Sequence, residues 1–265
     1  MALVEIHEMN DTDESFVGTC THVNDTPEIL SRHEIDFAAK KRICWLQCLY
    51  SKGVRTKVAY IHNEPVGFIH LIPIEICPWG PIGKDLLVIP CLVVLSKVRK
   101  RGIGRKLIAC AEEETLRQGL KGLVTVAYYH IHWFMPAAFF EKCGFEVVKR
   151  RNNEAILWKV YDQSATEPEL LTPNYNFREN KDKVTIDLFW NTFCPTSYIE
   201  AQRVREVAEE FGDKVLLNEY CADDRDILLR YQIDRGIFIN GKEIWYGHEA
   251  PKEGIRKAIY EALKN

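Results

Sequence analysis

The sequence predicts an α/β protein of two units, on three observations. Short apolar strand patterns alternate with helical ones from Leu3 to Tyr161, the text turns polar and rich in proline and asparagine from Asp162 to Asp182, and a second, shorter alternation follows from Lys183. The expected organisation is therefore residues 1–161, a linker at 162–182, and residues 183–265. A chain of 265 residues can bury one large core or two ordinary ones. The net charge of −3 argues against a generally basic, nucleic-acid-coating surface. No apolar stretch reaches the roughly 18 residues a membrane span needs, and the start "MALVEIHEMNDTDES" lacks the basic end and apolar middle of a signal peptide. Nine cysteines without a CxxC pair fit neither a disulfide scaffold nor a paired-cysteine zinc site. They suit a reducing compartment, so a cytoplasmic location, no metal and no membrane partner are expected.

The elements follow in order. "LVEIHEM" reads as a strand, and a helix around "DFAAKKRICWLQCLYSKG" stops at Gly53. "TKVAYIH" and "VGFIHLIPIE", joined through "NEP", read as an antiparallel hairpin, and "CPWGPIGKD" as a loop. The apolar run "LLVIPCLVVL" is a buried central strand whose internal Pro90 marks a bulge or a place where ladder pairing stops. A helix is predicted from about Gly102 to Gln118, ended by Gly119, with Ile103, Leu107, Cys110 and Ala111 on one face. "GLVTVAYY" is a further strand, "MPAAFFEKCGF" a short helix with Gly144 at its end, and "EVVKR" and "EAILWKVY" a closing hairpin. Past the linker come the strand "KVTIDLFW", the turn "NTFCPTS", the helix "YIEAQRVREVAEEFG", the strand "KVLLNEY", the helix "DRDILLRY", the hairpin "GIFINGKEIWYG" and a last helix.

The chemistry concentrates at the start of the helix near Gly102. Lys97, Arg99, Lys100, Arg101, Arg105 and Lys106 crowd around Gly102 and Gly104. Glycines there let backbone approach a ligand, and the first amides of a helix point their positive end at an anion. A Rossmann fingerprint would need a third glycine where Leu107 stands, and a P-loop would need GxxxxGK followed by Ser or Thr. The pattern present is RxxGxG, Arg99 to Gly104, followed about forty residues on by "FFEKCGFEVV", Phe139 to Val148. With both signatures at this spacing, the first 160 residues resemble a domain of the GNAT acetyltransferase superfamily. The resemblance implies the GNAT fold, a central mixed sheet with flanking helices, and acetyl-CoA (coenzyme A) as cosubstrate. It implies coenzyme contacts at Leu92, Val93 and Val94 on the strand, then at Arg99, Lys100, Arg101, Gly102, Ile103, Gly104 and Arg105 on the loop. The partner implied is a small-molecule amine acceptor, attacked in a ternary complex, with a homodimer left open.

The family pattern breaks in three places. Where many relatives have a tyrosine that reprotonates the leaving thiolate this sequence has Phe140; where they have an asparagine it has Trp133; and where some place a glutamate base it has Val88, with Asp85 the nearest acid. Substitutes are sought in "VAYYHIHWF", which supplies Tyr128, Tyr129, His130 and His132; a histidine has a suitable pKa for either proton transfer. Alternate residues of a strand point to opposite faces, so about half of these can reach a cleft. Trp79, Trp133 and Phe134 suggest an apolar or aromatic acceptor, and His62 and His70 are expected to be structural.

The second unit places Cys194 between a strand and a helix, with Pro195 at the helix's first position, where the helix dipole could lower a thiol pKa. This resembles a small C-terminal thioredoxin-like α/β domain, and the combination with the first unit is similar to YoaP-like acetyltransferases. Ser197 holds the resolving-cysteine position and Arg235, beside Gly236, the place of the family's cis-proline. Alternatives to an N-acetyltransferase are a non-catalytic acyl-CoA sensor and a thiol redox protein acting through Cys194.

Overall fold

Two β-sheets, one of seven strands and one of four, organise the chain in the computed structural model, which describes residues 3–20, 32–130, 135–247 and 249–264. The first sheet comprises β1 (Glu5–Glu8), β2 (Arg55–Ile61), β3 (Glu64–Pro73), β4 (Leu86–Val94), β5 (Gly122–Tyr128), β6 (Glu146–Arg151) and β7 (Glu154–Val160), in the order β1-β2-β3-β4-β5-β7-β6. All neighbours are antiparallel except β4 and β5. That parallel pair needs a crossover, which α3 (Ile103–Arg117) supplies. The other helices of this part are α1 (Glu14–Gly18), α2 (Arg32–Cys48) and α4 (Ala137–Glu141).

The β2–β3 hairpin turns at His62–Asn63, both at positive φ, with Ile61 paired to Glu64. The turn thus begins one residue earlier than "NEP" suggests and keeps only its asparagine, because asparagine tolerates the left-handed conformation a two-residue hairpin needs, and Glu64 and Pro65 lie inside β3. Along α3, Ile103, Leu107 and Ala111 are buried as the spacing predicts, with Cys110 half-buried. They pack with Leu71, Leu87, Leu123 and Ala127 on one face of the sheet. Glu114, near the end of that helix, is 3% exposed and gathers Lys57 at 3.4 Å and Arg55 at 3.6 Å, which ties α3 to β2.

The second sheet has the order β11-β10-β8-β9, from β8 (Val184–Trp190), β9 (Val215–Cys221), β10 (Gly236–Ile239) and β11 (Lys242–Ile244), with β8 and β9 parallel. Around it lie α5 (Pro195–Phe211), α6 (Arg225–Tyr231) and α7 (Lys252–Ala262). The β10–β11 turn is Asn240–Gly241, again both at positive φ. Helix α5 begins three residues before the predicted "YIEAQ", since Cys194 caps it and Pro195 opens it.

The segment at 162–182 contains no strand or helix, yet it is tied at both ends. Ile82 and Glu169 exchange backbone hydrogen bonds at 2.8 and 2.7 Å on the first part, and Asn174 N donates to Tyr231 O at 2.8 Å on the second. Tyr175 donates to Asp187 Oδ2 at 2.5 Å and packs on Phe238. Its polar text reflects an exposed strap with a few anchored residues.

The two sheets meet across α2 and α5. Arg203 of α5 forms a two-pronged pair with Glu34 of α2 at 2.8 and 3.1 Å, Arg225 donates to Cys77 O at 2.8 Å, and Phe193 enters the core beneath α2. The second unit therefore covers part of the first sheet's other face.

Candidate functional site

Strands β4 and β5 pair only at Leu86–Gly122, Leu87–Leu123 and Val88–Val124. The Thr125 hydroxyl then donates to Ile89 O at 2.8 Å, and beyond it the two strands separate. On the opposite edge of β4 the register with β3 slips between His70 and Ile72, so Ile89 and Pro90 stand opposite Leu71. Proline has no amide hydrogen to give a ladder, and its position coincides with both the bulge and the opening. Leu92, Val93 and Val94 thus lie on a strand whose β5-side edge has no strand partner among the described residues.

The loop after β4 carries the basic run. Lys97, Arg99, Lys100, Arg101, Arg105 and Lys106 are all exposed, and among the described residues none forms an ion pair. Their two side-chain contacts are weak ones to backbone, Arg99 to Val94 O and Lys106 to Val4 O, each at 3.4 Å. Gly102, at φ +80°, is the residue before α3, and Lys100 is also left-handed at +65°. The first i to i−4 bond of α3 runs from Lys106 N to Gly102 O. The amides of Ile103, Gly104 and Arg105 therefore precede the hydrogen-bonded ladder and are available to an anion. Gly104 has a different reason to be glycine: a Cβ there would stand 2.9 Å from Cζ of Phe139 on α4, so the RxxGxG and GF signatures touch.

The four proton-transfer candidates part company. Tyr128, the last residue of β5, is half-buried and lines a cavity of about 380 Å³. Tyr129 turns the other way, donating to Glu141 Oε1 at 2.6 Å beneath Arg150, whose guanidinium lies 4.1 Å from the ring centre; bonding to a carboxylate raises its phenol above the ordinary range. His130 is exposed, and His132, with Trp133 and Phe134, lies outside the described residues. Phe140 is 1% exposed between Phe139 and Phe145, a core residue with no group to donate. Asp85 pairs with Lys121 at 3.2 Å at the closed end of β4, away from the opening. His62 is a turn residue, and His70 is fully buried, as a structural role requires.

The cavity is shared by both sheets. Trp79, Val126, Tyr128 and Glu154 line it from the first, Leu171 and Tyr175 from the strap, and Asp234, Arg235 and Glu243 from the second. Burial pushes the Asp234 carboxyl up to about 6 although Arg235 opposes the shift, and burial also raises Glu243. Sequence reasoning missed these acids because the strand pattern of 183–265 says nothing about which end of that sheet meets the first. Asp234 precedes Arg235, the residue at the cis-proline place, and that adjacency was the available signal.

Cys194 does cap α5, but its thiol is pushed up, not down, because burial against the first unit outweighs the attraction of Arg235 and the helix start. Arg235 spends its charge on Glu200, at 2.7 Å, a pair that also accepts from Ala250 N. Ser197 accepts from Asn191 N at 3.0 Å and so serves the turn.

Residues 47–147 match the family model described as an acetyltransferase (GNAT) domain. No curated protein matches the chain. Among solved structures it is similar to the PaiA N-acetyltransferase of Thermoplasma acidophilum in complex with coenzyme A, at 16% identity and TM-score 0.44 over 60% of this chain and 99% of that one. It is also similar to a ribosomal-protein-alanine N-acetyltransferase of Brucella melitensis, at 19% and 0.45 over 59% and 99%. Residues 47–147, from the end of α2 to the start of β6, are thus similar to an acetyltransferase (GNAT) domain.

Proposed function

We propose that the chain moves an acetyl group from acetyl-CoA to the amine of a small, cationic acceptor held in the cavity between the two sheets. The carrying observation is that Val126 and Tyr128, on β5 beyond Thr125, line a cavity that Asp234 and Glu243 also line, together with Glu154 and its ion-pair partner Arg151. Carboxylates and aromatic rings together favour an organic cation. The coenzyme would lie on Leu92, Val93 and Val94, with its phosphates on Arg99, Lys100, Arg101, Gly102, Ile103, Gly104 and Arg105. Six exposed cations with no ion pair among the described residues, and a turn of amides ahead of the helical ladder, suit a polyphosphate there.

Acetyl-CoA supplies an activated acyl group; the protein's part is to hold the amine, take its proton and exclude water. Asp234, poised near 6, is suited to accept a proton from an ammonium acceptor at neutral pH, directly or through water. Tyr128 is the member of the "YYHIH" group suited to donate one. We further propose that residues 1–161, 162–182 and 183–265 act as an acetyltransferase unit, a strap and a thioredoxin-like unit. The β11-β10-β8-β9 order, with Cys194 and Pro195 at the start of α5, supports the last assignment. In this reading the second unit closes the acceptor site, and the raised thiol of Cys194 argues against redox catalysis through it.

The test is a thiol-release assay with acetyl-CoA over a panel of cationic, neutral and anionic small amines, run on the wild type and on Asp234→Asn. Turnover confined to cationic amines, and lowered by the substitution, supports the proposal. Equal turnover of anionic amines overturns the acceptor class.

A further inference from the structure

The opened strand β4 also carries a pair of thiols that the acetyl transfer does not use. Cys91, one residue past Pro90, is 3% exposed, and its Sγ lies 3.6 Å from Sγ of Cys20, the residue at the end of the turn after α1, which is 9% exposed. Two sulfurs in van der Waals contact, on segments 71 residues apart in sequence, need little motion to bond.

Beside them sits Arg42 of α2, with no exposed surface. None of its three guanidinium nitrogens has a hydrogen-bond partner among the described residues; the rings of Phe193 and Phe68 lie 4.9 and 5.8 Å away. A guanidinium keeps its proton at any pH a protein meets, and burying one without an anion is costly. The ionisable groups that act on it are Cys20, Cys91 and Cys194, and no carboxylate is among them. His70 faces the same space, with Nδ1 on the Thr56 hydroxyl at 2.8 Å and Nε2 without a hydrogen-bond partner among the described residues; burial and Arg42 keep it neutral, so it adds no second cation. The anion that needs no extra room is a thiolate: the Cys91 thiol, pushed well up by its contact with Cys20 and by burial, keeps its proton and donates, which leaves Cys20 to carry the charge.

We propose that Cys20 and Cys91 are a peroxide-oxidisable dithiol, with Arg42 holding one of them as the attacking thiolate. That thiolate attacks one oxygen of a hydroperoxide, the O–O bond breaks, and the departing alkoxide or hydroxide takes up a proton, leaving a sulfenic acid. The second sulfur then displaces hydroxide from the first, and its proton leaves with that hydroxide as water. Two thiols and one hydroperoxide give one disulfide, one alcohol or water, and one further water, two electrons passing from sulfur to oxygen. The pair joins the turn after α1 to β4 and owes nothing to the assignment of the acceptor cavity.

The experiment uses the full chain with Cys44 and Cys48, the exposed pair of α2, replaced by serine. The reduced protein is treated with hydrogen peroxide, quenched with iodoacetamide and mapped by mass spectrometry. The expected result is a loss of about 2 Da, a single linked peptide joining Cys20 to Cys91, and reversal by dithiothreitol. Arg42→Gln is expected to slow linkage about tenfold or more, through loss of the thiolate. Cys20 and Cys91 remaining alkylatable after peroxide, or a link from either to Cys194 in place of this one, overturns the proposal. Should Arg42→Gln fail to fold, the wild-type map alone decides.

Discussion

Phe193, on the loop after β8, stands edge-on to the buried imidazole of His70 on β3, with ring centres 5.4 Å apart at 84°. It also meets Trp45 at 5.6 Å and takes the Arg42 guanidinium on its face. The second unit thus contributes a core residue to the first, 3% exposed, and the two are energetically one body at this point.

Phe193→Ala is therefore expected to cost about 3 kcal/mol, the usual toll of a vacated aromatic site, made worse by removing the nearer of the two rings that face Arg42. Chemical denaturation monitored by tryptophan fluorescence measures it. A chain ended after Tyr161 is expected to do worse, exposing Phe68, His70 and Cys91, and to lose acetyl transfer. A truncated chain with wild-type stability and turnover would show that the contact is incidental.

At the basic loop, two glycines separate conformation from packing. Gly102 needs positive φ and has open space, so Gly102→Asn is expected to be tolerated and Gly102→Val to weaken coenzyme binding. Gly104→Ala has no φ problem but must move Phe139, so it is expected to lower stability and affinity together. Replacing Arg99, Arg101 and Arg105 by alanine, in contrast, is expected to weaken CoA binding at least tenfold, to flatten its salt dependence, and to leave the melting temperature nearly unchanged. Calorimetry at two ionic strengths checks this; unchanged affinity in the triple variant moves the phosphate site elsewhere.

How much of this was legible in the sequence follows from the range of the forces. The alternation of strands and helices, the Pro90 interruption and the Asn240–Gly241 turn are local, and each sits where the residues put it. The short helix α1 was not legible, having only five residues and no sustained periodicity. The "YYHIH" cluster was legible as chemistry but not as direction: Tyr128 and Tyr129 are neighbours in sequence that point to the cavity and to Glu141 respectively. Asp234 and the Cys20–Cys91 contact depend on segments brought together by tertiary packing, which no spacing encodes.

Asp234 carries a pH signature. Its folded value of about 6 lies above the ordinary carboxylate range, so the folded state binds the proton more tightly than the unfolded chain does. The stability cost is absent below about pH 4, grows between about 4 and 6, and is constant above; for a half-buried group it amounts to about 1–2 kcal/mol. Asp234→Asn is accordingly expected to melt higher than wild type at pH 7.5 and equally at pH 4, while losing the activity limb that rises through pH 6. A variant that keeps this limb assigns the proton acceptor to another group.

The last prediction concerns Cys194, where covering and redox roles demand opposite properties. A working thiol needs to be a thiolate near neutrality, and the start of α5 offers a favourable dipole. Burial against the first unit overrides it: the thiol is raised, and Arg235, the cation best placed to counter this, is already engaged with Glu200. Alkylation of Cys194 by iodoacetamide should therefore be slow at pH 7 and accelerate only above the ordinary thiol range. Cys194→Ser should retain acetyl transfer within about twofold, since the sulfur lies in the packing interface and serine nearly conserves its volume. Glu200→Gln offers an independent check, because freeing Arg235 should bring the alkylation midpoint down without altering the cysteine itself. Rapid alkylation of the wild type below pH 7, joined to a large loss of turnover in Cys194→Ser, would reverse the assignment and make the second unit a thiol catalyst.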